Sequence, residues 1–247
     1  MPRLLTYNVH RCLGTDRRLD VERIAAVIAA QKPDIVCLQE LDVGRARTGG
    51  VDQAEAIARA LNMTSRFHPA MQVEAELYGD AILTPWPERL VRAAALPTLP
   101  NLKGLEPRGA IWSIVTIDGV DLNILTTHLG LVPREQRKQA LALAGADWLG
   151  SDQCQGPTIL AGDFNATSIT RPYQTLTRRL KDAQKLLGLK PSIKTFPSSF
   201  PAIRIDHAFV SPEIKVTGIS TPLDPLSRAA SDHLPLVMDF ELRPVST

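Results

Sequence analysis

Gly162-Asp163-Phe164-Asn165 is the stretch with the plainest chemical potential in this sequence. It follows Pro157-Thr158-Ile159-Leu160-Ala161, a short apolar run of strand type, so the acid and the amide should stand where a buried strand gives way to a loop. There Asp163 could orient or deprotonate a water, and the Asn165 amide could donate to a phosphate oxygen. Their alternate spacing lets both side chains leave the strand end on one side. An isolated Asp-x-Asn is more often a turn that satisfies its own backbone, so the assignment depends on what the rest of the chain delivers to similar positions.

Other polar residues end strand-like runs in the same way. Arg3 to Val9 delivers Asn8, and Asp34-Ile35-Val36-Cys37-Leu38, apolar enough to be buried on both faces, runs out at Gln39-Glu40. Asp121 to Thr127 ends at His128, Ile203 to Val210 carries Asp206, and Leu234 to Leu242 is entered from Ser231-Asp232-His233. Taken singly, Asn8 could cap a loop, His128 could be a structural histidine and Asp232 could belong to a turn. Such residues at one strand end after another point instead to a shared site.

The elements that must position them are readable from periodicity and caps. Asp20 caps a helix whose stripe is Val21, Ile24, Ala25 and Ile28, and Lys32-Pro33 stops it. Asp52-Gln53-Ala54-Glu55 has the form of a capping box, opening a helix with Ala54, Ile57, Ala58 and Leu61 on its buried face. From Met63 to Val120 the signals are strands and turns, with strands over Gly79 to Leu83, Leu90 to Leu96 and Ala110 to Ile117 separated by prolines. Pro133 starts a helix expected to reach about Leu149, and a short helix begins at Pro172. Strands and helices without strict alternation argue for packed sheets with helices outside them. A weak internal echo, in which a strand with a polar end is followed by a helix and then a strand ending in an acid, suggests a sandwich with rough two-fold symmetry.

Composition narrows the classes. The 247 residues are 44% hydrophobic and 22% charged, which is ordinary for a globular chain, and no composition shift or linker divides them, so one domain over 1–247 is expected. A net charge of +2, from 28 basic and 26 acidic residues, does not announce a nucleic-acid binder by bulk electrostatics. Cys12, Cys37 and Cys154 lack metal-site spacing and are odd in number, so a reducing, cytoplasmic setting without disulfides is expected. No signal-peptide pattern and no apolar run of membrane-spanning length is present.

Collected, Thr6-Tyr7-Asn8-Val9-His10, Leu38-Gln39-Glu40, Thr126-Thr127-His128-Leu129, Gly162-Asp163-Phe164-Asn165, Arg204-Ile205-Asp206-His207 and Ser231-Asp232-His233-Leu234-Pro235 resemble, in order, the motifs of the endonuclease/exonuclease/phosphatase superfamily. That superfamily includes deoxyribonuclease I, abasic-site endonucleases, neutral sphingomyelinases and inositol-phosphate 5-phosphatases. The resemblance implies an α/β fold, a four-layer sandwich of two packed mixed sheets flanked by helices, and divalent-metal-dependent hydrolysis of phosphoesters. It implies a metal, Mg²⁺ or Mn²⁺, on Glu40 with Asn8 and Asp232 close to it. Asp163 would activate water, Asp206 would orient His233, Asn165 would hold phosphate oxygens, and His128 would be a second phosphate-contacting imidazole able to protonate the leaving group. Hard carboxylate oxygens suit Mg²⁺, which keeps most of its waters.

Two departures bear on this. Tyr78-Gly79-Asp80-Ala81 stands where relatives commonly have Gly-Asn-Ala, and no acid is clearly in register to pair with His128, although Glu74 and Glu76 lie near. Glu106-Pro107-Arg108-Gly109-Ala110 resembles a segment of bacterial members, in which Arg108 could support a phosphate or a metal-bound carboxylate, or simply be a surface arginine. For the substrate, Arg45 and Arg47 sit on a loop that could reach a nucleic-acid backbone, and Arg171, Arg178, Lys181 and Lys185 would share a face if the helix from Pro172 ran that far. A lipid or small phosphoester is the other candidate, and a non-catalytic binding module is the alternative of a different class.

Overall fold

In the computed structural model, residues 1–100, 102 and 104–242 are described. The run before Asn8 forms β1 (Arg3–Asn8), buried from Leu4 onward, and pairs in parallel with β2 (Ile35–Val43) through the crossover helix α1 (Val21–Gln31). Asp20 caps α1 by accepting from the Arg23 N–H, and Lys32 ends it in the left-handed conformation. At α2 (Gln53–Ala60) the capping box is half formed: Asp52 accepts from the Glu55 N–H, while the Glu55 carboxylate turns to Ser65 instead.

The hairpin β3 (Thr64–Val73) and β4 (Glu76–Thr84) adds to β2, and β11 (Ile214–Ser220) and β12 (Leu236–Leu242) add to β1, giving a six-stranded sheet in the order β11-β12-β1-β2-β4-β3. Pro69 is tolerated in β3 because that strand is at the edge and its register shifts between Pro69 and Met71. The second sheet joins β5 (Glu88–Ala95), β6 (Gly109–Ile117), β7 (Val120–His128), β8 (Thr158–Asp163), β9 (Lys181–Asp182) and β10 (Asp206–Val210) in the order β5-β6-β7-β8-β10-β9. Its parallel pair, β7 with β8, is bridged by α3 (Pro133–Leu143), so each sheet is built around one strand–helix–strand unit, as the internal echo suggested.

Period-two alternation explains the layers. Leu4, Ile35, Cys37 and Ile82 face Ile111, Ile124, Ile159 and Ala161 across the space between the sheets. Their neighbours Leu5, Val36 and Leu38 point the other way, onto Ile24, Ile28 and Ile57 of the first helices. Trp112, Leu125, Leu160 and Phe209 do the same toward Ala140 and Leu143 of α3 and Tyr173 of α4 (Arg171–Leu176). Strands apolar on both faces can only be buried between two partners, so the result is the expected four-layer α/β sandwich.

Several boundaries differ from the sequence reading. The helix from Pro133 stops at Leu143 rather than Leu149, because the chain turns at Gly145 and carries Trp148 back into the outer core. The helix near Pro172 ends at Leu176, so Arg171, Arg178, Lys181 and Lys185 do not share a helical face. The cause is Asp182, whose buried carboxylate accepts from the Tyr173 hydroxyl and from Arg204 and caps α5 (Ala183–Leu186) through the Lys185 N–H. Strand β10 begins at Asp206 because Ile203 pairs separately with Phe196, and neither β11 nor α6 (Pro225–Ala230) had a signal strong enough to be read.

Gly162 is required where it stands. Its φ is +154°, and a Cβ there would overlap the Thr127 carbonyl of the parallel neighbour β7. Gly162→Ala is therefore expected to cost about 3 kcal/mol of stability through strain and overpacking. Urea unfolding followed by far-UV circular dichroism checks this.

Candidate active site

Topology brings the polar strand ends to one rim. Asn8 ends β1, Glu40 lies near the end of β2, and His128 and Asp163 are directly paired at the ends of β7 and β8. Strand β10 runs antiparallel to β8, so its first residue, Asp206, is the register partner of Asp163. Strand β12 runs antiparallel to β1, which places its entry segment Ser231-Asp232-His233 beside the end of β1. There the Ser231 hydroxyl donates to the Asn8 carbonyl at 2.8 Å.

Two of the site residues have backbones that ordinary residues avoid. Glu40 has φ +62° at a bulge in β2, where the register with β4 shifts between Leu38 and Leu41. Asn165 has φ +47° in the turn after β8 and donates its backbone N–H to Asp163 Oδ1 at 2.9 Å. Bulges and left-handed residues re-aim side chains and cluster where function overrides local preference.

Asp163 is the hub. Its Oδ2 accepts from Asn8 Nδ2 at 2.9 Å and lies 3.4 Å from His128 Nε2 and 3.6 Å from His233 Nε2. Asn8 Nδ2 also donates to Glu40 Oε1 at 2.9 Å, so one amide ties the two carboxylates together, while Asn8 Oδ1 accepts from the His10 N–H. The buried Asp163 carboxyl is pushed above its ordinary range by desolvation, with His233 pulling it down and Asp206 adding to the rise.

The two histidines sit in opposite states. For His233, burial works against the charged form, but Asp206 and Asp163 outweigh it and raise the pKa to about 10. Its Nδ1 donates to Asp206 Oδ2 at 2.9 Å, and that oxygen also accepts from the buried Thr195 hydroxyl. His128 is pushed well below its ordinary value by burial, Arg108 and His233, so it is neutral. Arg108 Nη1 lies 2.9 Å from His128 Nδ1. Arginine only donates, so Nδ1 accepts and the ring proton sits on Nε2, facing Asp163; Nε2 therefore accepts nothing from the Asn165 amide nitrogen 3.0 Å away, which donates to the Leu129 carbonyl.

These facts revise parts of the sequence reading. A neutral His128 backed by a cation is poorly suited to protonate a leaving group; in place of an acidic partner it has Arg108, which is buried and also pairs with Glu106 at 3.0 Å. Glu76 is engaged with Arg45 and the Ala46 N–H, and Glu74 is exposed. Arg47 is held by a two-pronged contact to the buried Asp42, both bonds 2.7 Å, so its fork is not free for a phosphate. Asp80, where an asparagine was expected, is buried beneath Glu40, and desolvation pushes its carboxyl up to about 8 against the pull of Arg108. Thr195 and the His207–Ala166 contact of 2.7 Å, which braces the turn after Asn165, carried no sequence signal because their partners are distant in the chain.

Groups able to hold a metal differ in kind from the hydrogen-bonded cluster around Asp163. Asp163, Asp206 and His233 lie close enough together to suggest an ion cage, but the cluster is already joined by hydrogen bonds and a protonated His233 has no lone pair to give. Glu40 and Asp232, both partly exposed and oxygen-only, fit a hard divalent ion that retains water. Among the described residues, no helix is long and apolar enough to cross a membrane, and all the cysteines are unpaired.

Comparison with known proteins agrees with this architecture. The Escherichia coli (strain K12) protein named "Uncharacterized protein YbhP" is 25% identical, with 97% of this chain and 96% of that protein covered. A mannosyl-6-phosphatase structure from Bacteroides thetaiotaomicron superposes with a TM-score of 0.76 at 20% identity, covering 98% of this chain and 100% of that one. The human Nocturnin catalytic domain with bound sulfate superposes with a TM-score of 0.70 at 23% identity, covering 98% and 94%. The profile of the Endonuclease/Exonuclease/phosphatase family matches residues 5–233, and this chain is a member of that family.

Proposed function

We propose that this chain is a divalent-metal-dependent phosphodiesterase that hydrolyses its substrate by in-line attack of water on phosphorus. The observation that carries the reading is a buried Asp163 with raised proton affinity, held between neutral His128 and charged His233. As the water oxygen bonds to phosphorus, Asp163 takes its proton and the bond from phosphorus to the leaving oxygen breaks. The His233 imidazolium, fixed by Asp206, and the remaining N–H of the Asn165 amide stabilise the non-bridging oxygens, whose negative charge is greatest in the transition state, while Asn8 holds Asp163 and Glu40 in place. Arg108 fixes the tautomer of His128, so that Nε2–H is a neutral donor to the same oxygens. Mg²⁺ or Mn²⁺ on Glu40 and Asp232 would supply Lewis-acid polarisation of the phosphoryl group and stabilise the leaving oxygen.

The substrate class is a phosphoester of a nucleic acid, a lipid or a small metabolite, and the unpaired cysteines fit a reducing cytoplasm. The mannosyl-6-phosphatase likeness keeps a monoesterase as the second reading. Hydrolysis of bis(p-nitrophenyl) phosphate beside p-nitrophenyl phosphate, with Mg²⁺, Mn²⁺ or EDTA, separates the two. Diester turnover that drops by about 10²-fold or more in EDTA is the expected result. Preference for the monoester would make the chain a phosphatase, and no turnover of either with any metal would favour a binding module on this fold.

A further inference from the structure

A cavity of about 290 Å³ opens directly beside Asn165, between the start of α3 and the start of α4. Its lining includes Asn165, Gln136, Arg137, Arg171, Pro133 and Leu131. No carboxylate lines it, and among the described residues neither arginine takes part in an ion pair, in contrast to Arg45, Arg47 and Arg108. Gln136 braces the wall: its Nε2 donates to the Asn165 and Gly130 carbonyls, both at 2.8 Å, so the cavity is built onto the same turn that carries the catalytic amide. Leu131, 71% exposed, together with Pro133 and Pro172 gives it an apolar edge.

We infer that this cavity is a substrate subsite for a second anionic group, a phosphate carried by the part of the substrate next to the scissile ester. The inference rests on the phosphoesterase reading and adds a substrate class to it: a molecule with at least two phosphates, rather than a diester between neutral groups. Two cations facing one concavity without a compensating acid lower the energy of an anion there, and arginine's planar fork matches phosphate oxygens in pairs. The volume is at the lower limit of small-molecule sites, about 300–1,000 Å³, so it suits one sugar-sized substituent with its phosphate rather than a duplex segment. The apolar edge would pack against the carbon skeleton between the two phosphates. A neighbouring nucleotide of a single strand and a sugar bisphosphate both present this chemistry.

The test uses the full chain and an Arg137→Gln/Arg171→Gln variant with two substrates that differ by one remote phosphate: thymidine 5′-(p-nitrophenyl phosphate) and its 3′-phosphorylated form. The parent is expected to favour the 3′-phosphorylated form by about tenfold in kcat/KM, mostly through KM, and the variant to lose that preference. Calorimetric binding of thymidine 3′,5′-bisphosphate and of fructose 1,6-bisphosphate provides a readout independent of turnover. At least one should bind the parent about tenfold more tightly than the variant, and which one does distinguishes a nucleotide from a sugar source. Equal preference in parent and variant, or affinities for both bisphosphates that do not change between parent and variant, would overturn the subsite. A parent that binds a bisphosphate through these arginines yet hydrolyses no ester would retain the subsite and reject the hydrolase.

Discussion

An Asp163→Asn chain is expected to lose about 10³–10⁴-fold in kcat toward a phosphodiester while keeping its fold. The carboxylate is the one group in the cluster that can both accept the water proton and reach its partners through short contacts on either oxygen. Asparagine preserves the shape and can still accept from the Asn165 N–H, but its amide nitrogen would face the Asn8 amide nitrogen where a carboxylate oxygen now accepts. That mismatch costs about 1–3 kcal/mol, partly offset because a desolvated carboxyl has been removed. Activity and unfolding should therefore separate: a large loss of turnover with a small change in urea midpoint. A variant that keeps more than a tenth of the parent turnover would exclude Asp163 as the proton acceptor.

Asp206→Asn is expected to lower kcat by about 10²–10⁴-fold and, more tellingly, to move the alkaline limb of the activity profile downward by at least about one pH unit. In the parent that limb should lie near pH 10, where His233 gives up its proton. The Asp206 carboxylate 2.9 Å from Nδ1 is a principal reason for so high a value, and an amide in its place offers no charge to hold the imidazolium. The sign for stability follows from the same shift. The folded-state pKa of His233 is above its unfolded value, so the contribution is fully present below about pH 6.5 and is lost as pH rises through about 10. Urea unfolding at the two ends of that window should show the parent losing stability toward alkaline pH, with a smaller loss in the variant. An alkaline limb that does not move would mean that Asp206 only shapes the site and does not set the charge of His233.

How much of this was legible beforehand follows from how far each cause reaches along the chain. Asp20 and Asp52 cap their helices because a cap is decided within a few residues. The continuous apolar run of β2 predicted a strand buried on both sides for a similarly local reason. That the helix from Pro172 does not run on to Lys181 and Lys185 has a distant cause: Arg204 and Tyr173 capture Asp182, which instead caps the separate helix α5 carrying Lys185. Arg108 is another such case, since a lone arginine at a strand start gives no hint that it will be buried against His128.

The sequence by itself determined the chemistry available to this protein. Residue type fixes which groups can accept a proton, donate to a phosphate oxygen or hold a hard cation, and ordered motifs at strand ends are a one-dimensional trace of a single rim. Only the tertiary structure decided what each group does there, because protonation and orientation depend on neighbours many residues away. His128 and His233 are the same residue type after similar strand signals, yet one is neutral against Arg108 and the other charged against Asp206. Burial removes water as the common solvent for both, and in its absence the nearest fixed charge sets the state.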